Sequence, residues 1–572
     1  MFQRDALAIR ILAGTNMFFS GVGAISEIVT RDEHKQEFAN DYEAVLRKLL
    51  DELGWDDVPV HKRVYSRGII MAIPTEFDLT YAGCKILGVA FDIAAAKYNK
   101  TEELDFAEEL EYLEYIISKE RYKTLRNIYN EAKDRSLNVY LDQNIISIGS
   151  GKGAYIANID EIGYDDVPWD KIYEIPSVMV TGTNGKTTTV RLTSFISQHA
   201  GKCVGYCSTD WVMINGEVVS EGDLSGPNGN RRVMTNPDVD VAVLEVARGG
   251  IVKRGLATSN VGGAVVMNVS EDHLGVNGID DVMDLARAKF TVQNAVRPGG
   301  HNVVNLDDEI SHSFIDGLPR ARAFFSQKLA ANEVIKFVKT ADDYACFVEN
   351  NSFVVYRHGE KHVIAGVNDV DLTYNGIAKH NIENVLAAIC LSIELGRSYE
   401  EITAGLLAFR NDEHNHGRFN MFDVKGFEGS KIFVDYGHNL ASVDNMLKFA
   451  RSIGNSDTKI TVLLGLSGDR KFMVDNIAKS VVQHKIDYVI VKMFTSHLRG
   501  AEVGELAQFL QERLLKRGFD TKNIVATVDQ EIEALELVLS NMEANHLYIM
   551  LCQDQAAEVI NAIKKYNNEA NA

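Results

Sequence analysis

The segment Val180-Thr181-Gly182-Thr183-Asn184-Gly185-Lys186-Thr187-Thr188-Thr189 sets two glycines, a lysine and a run of hydroxyls between a strand-like and a helix-like run. Gly182 and Gly185 let the backbone approach an anion with no Cβ in the way. Successive N–H groups, ending in a helix N-terminus, offer that anion donors and partial positive charge. In such a loop Lys186 reaches the β- and γ-phosphates of ATP and Thr187 ligates magnesium, with Thr183, Asn184 and Thr188 completing the cradle. The pattern departs from the strict Walker form, because Val180 stands at its first glycine. A plain glycine turn is the competing reading, and the strand–loop–helix context argues against it. A second candidate is Glu245, at the carboxyl end of the strand-like run Val239–Val246. Ligands of open α/β sheets gather at that edge, and a hard cation such as magnesium prefers carboxylate oxygen.

The elements that would carry these groups follow from hydrophobic periodicity. Ile175–Val180 reads as a buried strand, followed by the glycine turn and a helix ending near Gly201. Further strand-like runs at Val239–Val246, Val261–Val269 and His301–Asn305 predict an α/β domain from about 170 to 410. From 411 to 572, Lys431–Tyr436, Lys459–Leu466, Asp487–Lys492, Asn523–Val528 and His546–Cys552 alternate with helical stretches. That pattern predicts a doubly wound, Rossmann-like sheet. The boundary, Asn411-Asp412-Glu413-His414-Asn415-His416-Gly417, is polar, as a hinge would be. The first 165 residues read as a separate α+β domain. Within it Asp41–Leu53 is an amphipathic helix, Lys62–Ile73 and Asn138–Gly149 are strand-rich, and Leu104–Arg135 is one long charged helical stretch.

Gly-Thr-Asn-Gly-Lys-Thr-Thr resembles the phosphate loop of the Mur ligases and folylpolyglutamate synthetases, and several later motifs resemble the same superfamily in the same order. Asn268-Val269-Ser270-Glu271-Asp272-His273 is similar to its Asn-x-x-x-Asp-His motif, which implies a second magnesium on His273. Lys289 matches a lysine that many Mur ligases carry as a magnesium-binding carbamate; a solvated helix lysine is its rival. His380-Asn381-Ile382-Glu383-Asn384 resembles the motif that meets adenine, although Asn381 or Asn384 would serve equally as a helix cap. Gly417-Arg418-Phe419 resembles the Pro-Gly-Arg motif with His416 in place of proline, which implicates Arg418 in nucleotide binding. Asp435-Tyr436-Gly437-His438 matches the Asp-Tyr-x-His motif, implying Asp435 at the ribose or a bridging water and His438 near the phosphates, with Leu440 where proline is frequent. Gly468-Asp469-Arg470 resembles a further C-terminal motif. The resemblance implies that these C-terminal residues close onto the nucleotide and exclude water from a reactive intermediate.

Gly222-Asp223-Leu224-Ser225-Gly226-Pro227 and Ala247-Arg248-Gly249-Gly250-Ile251 resemble the cyanophycin synthetase branch. There Arg248 would clamp a carboxylate or phosphate with its forked donors; an exposed arginine in a tight turn is the alternative. Leu12-Ala13-Gly14-Thr15-Asn16 and Tyr122–Ile156 resemble pieces of that branch's N-terminal region, while its ATP-grasp domain has no room here. The resemblance implies an ATP- and magnesium-dependent ligase that activates a carboxylate as an acyl phosphate and joins it to an amine. Substrates would be amino acids or Asp/Arg-containing peptides, with muropeptide, poly-γ-glutamate or folate extension as alternatives. A P-loop ATPase or nucleotide switch without ligase chemistry is the reading from another class.

The formal charge of −21 over 572 residues disfavours nucleic acid as a partner, which needs basic surface, and suits a cationic substrate as well as a plain solubilising surface. No apolar run approaches a membrane span, and the acidic start Met1-Phe2-Gln3-Arg4-Asp5 lacks an export signal, so the expectation is a cytoplasmic protein with no membrane partner. Six scattered cysteines suit a reducing compartment and make a zinc site improbable. Whether the chain forms a homo-oligomer is left open.

Overall fold

The computed structural model describes residues 2–102, 104–272, 274–318, 321–466, 468–493 and 502–569. The chain divides into two compact units, residues 1–366 with 383–406, and residues 367–382 with 407–572.

In the first unit an antiparallel sheet of four strands runs in the order Leu7–Leu12, Gly23–Val29, Gly68–Pro74, His61–Tyr65. Helices Lys35–Glu52 and Thr80–Asn99 bury Phe38, Tyr42, Leu46, Ile86 and Phe91 together with Ile28, Met71 and Ile73 of the sheet. Residues 77–99 are long and apolar enough to cross a bilayer by composition, which corrects the expectation that no such run exists. With 67% of its apolar window buried, the segment packs as the core helix of this sheet. The long helical stretch at 104–135 is two helices, Phe106–Glu120 and Lys123–Asp134. The chain turns at Arg121 because the Tyr122 N–H is donated to Asp78 Oδ2 (2.9 Å) instead of continuing the helix.

The larger sheet of this unit has eleven strands. Its parallel centre holds Val204–Cys207, Val241–Glu245, Ser177–Thr181, Val261–Val266 and Val296–Asn305 in that order. Both faces are covered, so these strands read as unbroken apolar runs such as Val241-Ala242-Val243-Leu244. Antiparallel hairpins close each end, Trp211–Glu221 at one and Ser352–Gly366 at the other.

The second unit carries a six-stranded sheet in the order Asn420–Asp423, Lys431–Asp435, His546–Leu551, Lys459–Leu464, Tyr488–Lys492, Ile524–Val528, parallel except at its first strand. Its five parallel strands match those expected from sequence to within two residues at each end, whereas the edge strand Asn420–Asp423 was not expected. The polar run at 411–417 is packed rather than solvated: Asn411, Asn415 and Asn420 are buried. Asn411 Nδ2 donates to Tyr374 Oη (2.9 Å) and the Phe419 carbonyl (2.8 Å), and Asn420 Nδ2 to the Asn411 carbonyl (2.8 Å). A buried amide satisfied this fully costs little and fixes the chain's path.

Candidate functional site

The strand Ser177–Thr181 delivers the phosphate loop at the middle of the large sheet, between Val241–Glu245 and Val261–Val266. Gly185 has φ +85°, and a Cβ there would lie 2.3 Å from Asn384 Oδ1, so both backbone conformation and space demand glycine. A Cβ on Gly182 would meet Met267 Cβ at 2.7 Å. The loop is bolted to the next strand's exit. Asn184 N–H donates to Asn268 Oδ1 (2.9 Å), Asn268 Nδ2 returns a bond to the Asn184 carbonyl (3.2 Å), and Thr183 N–H donates to the Asn268 carbonyl (2.9 Å). Thr183 Oγ1 accepts from Ser270 N–H at 3.0 Å. Lys186 opens the helix Lys186–His199 and folds over its own loop, donating to the carbonyls of Gly182 (3.1 Å) and Thr183 (3.0 Å).

Glu245 is buried at the end of its strand. Thr187 Oγ1 donates to its Oε2 (2.9 Å), and Thr209 Oγ1 to its Oε1 (2.8 Å). Thr209 was not singled out from the sequence. Its signal is weak but present, a hydroxyl just past the carboxyl end of the strand Val204–Cys207. Lys289 lies near the end of the helix Val282–Phe290, only 4% exposed, and donates to the Gly182 carbonyl at 2.7 Å. Burial pushes its ammonium well below the usual lysine range, Lys186 and Arg248 push the same way, and Asp272 opposes them. It is therefore no solvated helix lysine. Arg248 begins the helix Arg248–Arg254 and reaches the Val276 carbonyl at 3.4 Å. His273 lies outside the described residues.

Family models for the Mur ligase middle domain and the Mur ligase glutamate ligase domain match residues 180–392 and 417–551, together more than half of the chain. The chain belongs to the Mur ligase family. It is 32% identical to cyanophycin synthetase of Nostoc sp. over 398 residues, covering 69% of this chain and 43% of that one. Against cyanophycin synthetase of Synechocystis sp. the values are 32% over 393 residues, 68% and 44%. UDP-N-acetylmuramate–L-alanine ligase of Acetivibrio thermocellus is 27% identical over 349 residues, with 60% of this chain and 65% of that one covered. The chain thus spans less than half the length of the two cyanophycin synthetases it matches.

The helix Lys379–Glu394 holds both candidate adenine residues, and the two part company. Asn384 stands against Gly185 of the phosphate loop, whereas Asn381 Nδ2 donates to the Leu372 carbonyl (2.9 Å) within the second unit. Beside it His380 meets Phe419 edge-on at 4.4 Å, and burial lowers its imidazole to about 4.

The second unit assembles Arg418, Asp435 and His438 at the carboxyl end of its own sheet. Asp435 accepts from Phe419 N–H (2.8 Å) and Gly437 N–H (2.7 Å). Burial raises its carboxyl above the ordinary range against the pull of Arg418. The Arg418 guanidinium lies over the Tyr436 ring at 4.1 Å, and Tyr436 meets His438 edge-on at 5.0 Å. Leu440 is the first residue of the helix Leu440–Ile453, which Asn439 caps by accepting from Ser442 N–H (3.0 Å). Proline suits that first helical position equally, so the departure from the family pattern leaves the turn intact.

Magnesium fits the first unit's residues. Glu245 and Thr187 are hard oxygen donors side by side at the mouth of the phosphate loop, and this ion commonly takes one or two carboxylates plus substrate phosphate oxygens. Among the described residues no three His, Cys, Asp or Glu side chains form a closed cage, which that mode of binding does not need.

Proposed function

We propose that this chain is an ATP-dependent carbon–nitrogen ligase working through an acyl phosphate. The observation that carries the reading is the pairing of Thr187 with Glu245 at 2.9 Å beside a buried Lys289 that sits 2.7 Å from the Gly182 carbonyl of the same loop. The amides from Gly182 to Thr188 cradle the phosphates, and Lys186 turns from the loop carbonyls to the β- and γ-phosphate oxygens. Thr187, Glu245 and, by family resemblance, His273 would hold magnesium, whose charge neutralises the phosphate oxygens when it is bound. The lowered pKa of Lys289 favours the neutral amine, the form that adds to CO2. Its amine nitrogen bonds to carbon, one proton leaves, and Lys289 becomes an anionic carbamate able to join the same metal set.

Arg248 orients the substrate carboxylate. One carboxylate oxygen attacks the γ-phosphorus, the bond to the β–γ bridging oxygen breaks, and ADP leaves. The amine then attacks the acyl carbon, losing a proton as inorganic phosphate departs. Most of the acceleration comes from positioning and charge neutralisation. In the second unit Arg418, Asp435 and His438 are the candidates for nucleotide contacts, in the roles the family implies.

For the substrate we favour Asp- and Arg-containing peptides. Support comes from the 32% identity to cyanophycin synthetases and from the Gly222–Pro227 and Ala247–Ile251 motifs. The test is phosphate release from ATP with β-aspartyl-arginine, with free aspartate plus arginine, and with glutamate or muropeptide acceptors. Release that needs no amine would replace the ligase by an ATPase. Turnover confined to glutamate or muropeptide would move the substrate and keep the chemistry. Lys186→Ala is expected to abolish ligation with the far-UV circular dichroism unchanged, because the lysine contacts loop carbonyls rather than core.

A further inference from the structure

Residues 274–281 link Asp272 to the helix Val282–Phe290 that carries Lys289. Three polar groups of this turn, the Asn277 side chain, the Gly278 carbonyl and the Asp280 carboxylate, are held by residues of the N-terminal strands and their hairpin turn. Asn277 Nδ2 donates to both oxygens of Glu27 (3.1 and 2.9 Å). Glu27 is itself 3% exposed and also accepts from Arg10 Nη2 (2.8 Å) and Tyr65 Oη (3.0 Å). Arg63 Nε donates to the Gly278 carbonyl (2.7 Å), while its Nη2 pairs with Asp284 Oδ2 (2.5 Å) in the first turn of the Lys289 helix. Ser66 N–H donates to Asp280 Oδ2 at 2.8 Å, and its hydroxyl bonds the other oxygen of that carboxylate. The turn needs holding. Asn277 (φ +52°) and Gly278 (φ +77°) are consecutive left-handed residues, a conformation that costs free energy at a non-glycine position unless its surroundings impose it.

The loop that follows the first strand of the same sheet also grips the exit of the Arg248 helix. Ala13 N–H donates to the Arg254 carbonyl (2.8 Å) and Leu256 N–H to the Thr15 carbonyl (2.8 Å). Thr15 Oγ1 meets Ser259 Oγ at 2.8 Å. A Cβ on Gly14 would lie 2.6 Å from the Leu256 carbonyl oxygen, which gives the Leu12–Asn16 motif a packing reason for its glycine. The helices that carry Arg248 and Lys289 are therefore both tied to the N-terminal residues, the first at its exit and the second at its entry and the turn before it.

We propose that the N-terminal sheet is the positioning element of the ligase site, with Glu27 and Arg63 as positioning residues that keep the Lys289 helix in register with the phosphate loop. The inference rests on reading Lys289 as part of that site. A shift of about 1 Å in a catalytic group costs on the order of a hundred-fold in rate, so a domain that touches no reacting atom can still govern turnover.

The test uses the full chain and two readouts. In Arg63→Ala, deuterium uptake by peptides covering 275–290 is expected to rise at least about ten-fold in rate, with the strands at 344–357 unchanged as internal control. The kcat of substrate-dependent phosphate release is expected to fall at least about ten-fold with KM for ATP nearly constant, the signature of lost positioning rather than lost binding. Arg63→Lys keeps the charge beside Asp284 but not the fork, so it should recover part of both losses. If Arg63→Ala does not fold, Asp284→Asn weakens the same ion pair with little change of shape and is read in its place. Unchanged exchange at 275–290 overturns the proposal, and so does raised exchange with unaltered kcat while Lys289→Ala is inactive. If Lys289→Ala is itself fully active, the reading of the site fails instead, and the exchange measurement still decides whether the sheet holds the turn.

Discussion

Lys289 shows what one buried side chain can be asked to do. An ammonium at 4% exposure, near two other cations, is costly to keep charged, and its pKa is pushed down accordingly, in favour of the neutral amine. The neutral amine is nucleophilic, and a carbamate formed there would convert a repelled cation into an anion beside Lys186 and Arg248. Lys289→Ala is therefore expected to lose nearly all ligase activity and to regain part of it when short carboxylates such as formate or acetate are added, since these restore the missing anion. Lys289→Arg cannot form this carbamate and should stay inactive under the same additions. Full activity of the arginine variant in a steady-state phosphate-release assay would remove the carbamate from the mechanism.

At the level of elements, the strand–loop–helix unit at 177–199 depends on a single backbone conformation. Gly185→Ala adds strain at φ +85° and a clash with Asn384 Oδ1, whose uncorrected distance is 2.3 Å. The loop must shift to admit the methyl, so ATP affinity by calorimetry is expected to fall at least about ten-fold, about 1.4 kcal/mol, together with a lower melting temperature. An ATP affinity equal to that of the wild type would mean that the loop binds no phosphate in this conformation. A second device ties the strand Val296–Asn305 to the helix Lys379–Glu394. His301 Nδ1 meets Glu394 Oε2 at 2.9 Å and its Nε2 meets the Asp342 carbonyl at 2.7 Å, while Tyr344 Oη donates to Glu394 Oε1 (2.8 Å). Burial pulls the imidazole down, but the hydrogen bond and charge of Glu394 outweigh this and hold its pKa above the ordinary value. A raised folded-state pKa means stability fully present below the unfolded value, about 6.5, and lost as pH rises through the folded one. The melting temperature should thus fall more steeply with rising pH above about 6.5 in the wild type than in Glu394→Gln. Parallel pH dependences in differential scanning fluorimetry would refute the assignment.

For the whole molecule, the charge of −21 bears on how substrates arrive rather than on the fold. If the amine substrate carries a net positive charge, as free arginine does, its encounter with this acidic chain is favoured at low ionic strength and screened within about 8 Å at physiological salt. KM for free arginine as the amine is then expected to rise as sodium chloride is increased from about 0.01 M to 0.5 M, where the Debye length shrinks severalfold, while KM for the net-neutral β-aspartyl-arginine changes little. The kcat should change little over that range. A KM for arginine that is flat with salt, in a chain that does turn over arginine, would leave the acidity as solubilising surface only.

Much of this protein was legible along the chain because its chemistry is carried by contiguous, regular pieces. The phosphate loop is one turn between one strand and one helix, so Gly182, Gly185, Lys186 and Thr187 announce themselves by spacing. Buried parallel strands read as apolar runs, and for that reason the central and C-terminal sheets could be outlined from sequence. Other features depend on residues far apart in the chain meeting in space. That Thr209 completes the hold on Glu245, 36 positions away, is all but invisible to local pattern. So is the parting of Asn381 and Asn384, which share one helix but face different surroundings. The polar run at 411–417 reads as a hinge because composition cannot show that its amides are satisfied inside a packed corner. The bonds from Glu27 and Arg63 to residues more than 200 positions on exist only because the N-terminal sheet packs against the Lys289 turn. Sequence determines which side chains can do chemistry and which elements present them. Tertiary packing decides which become buried, neutral or restrained, because desolvation and steric fit depend on neighbours in space rather than in the chain.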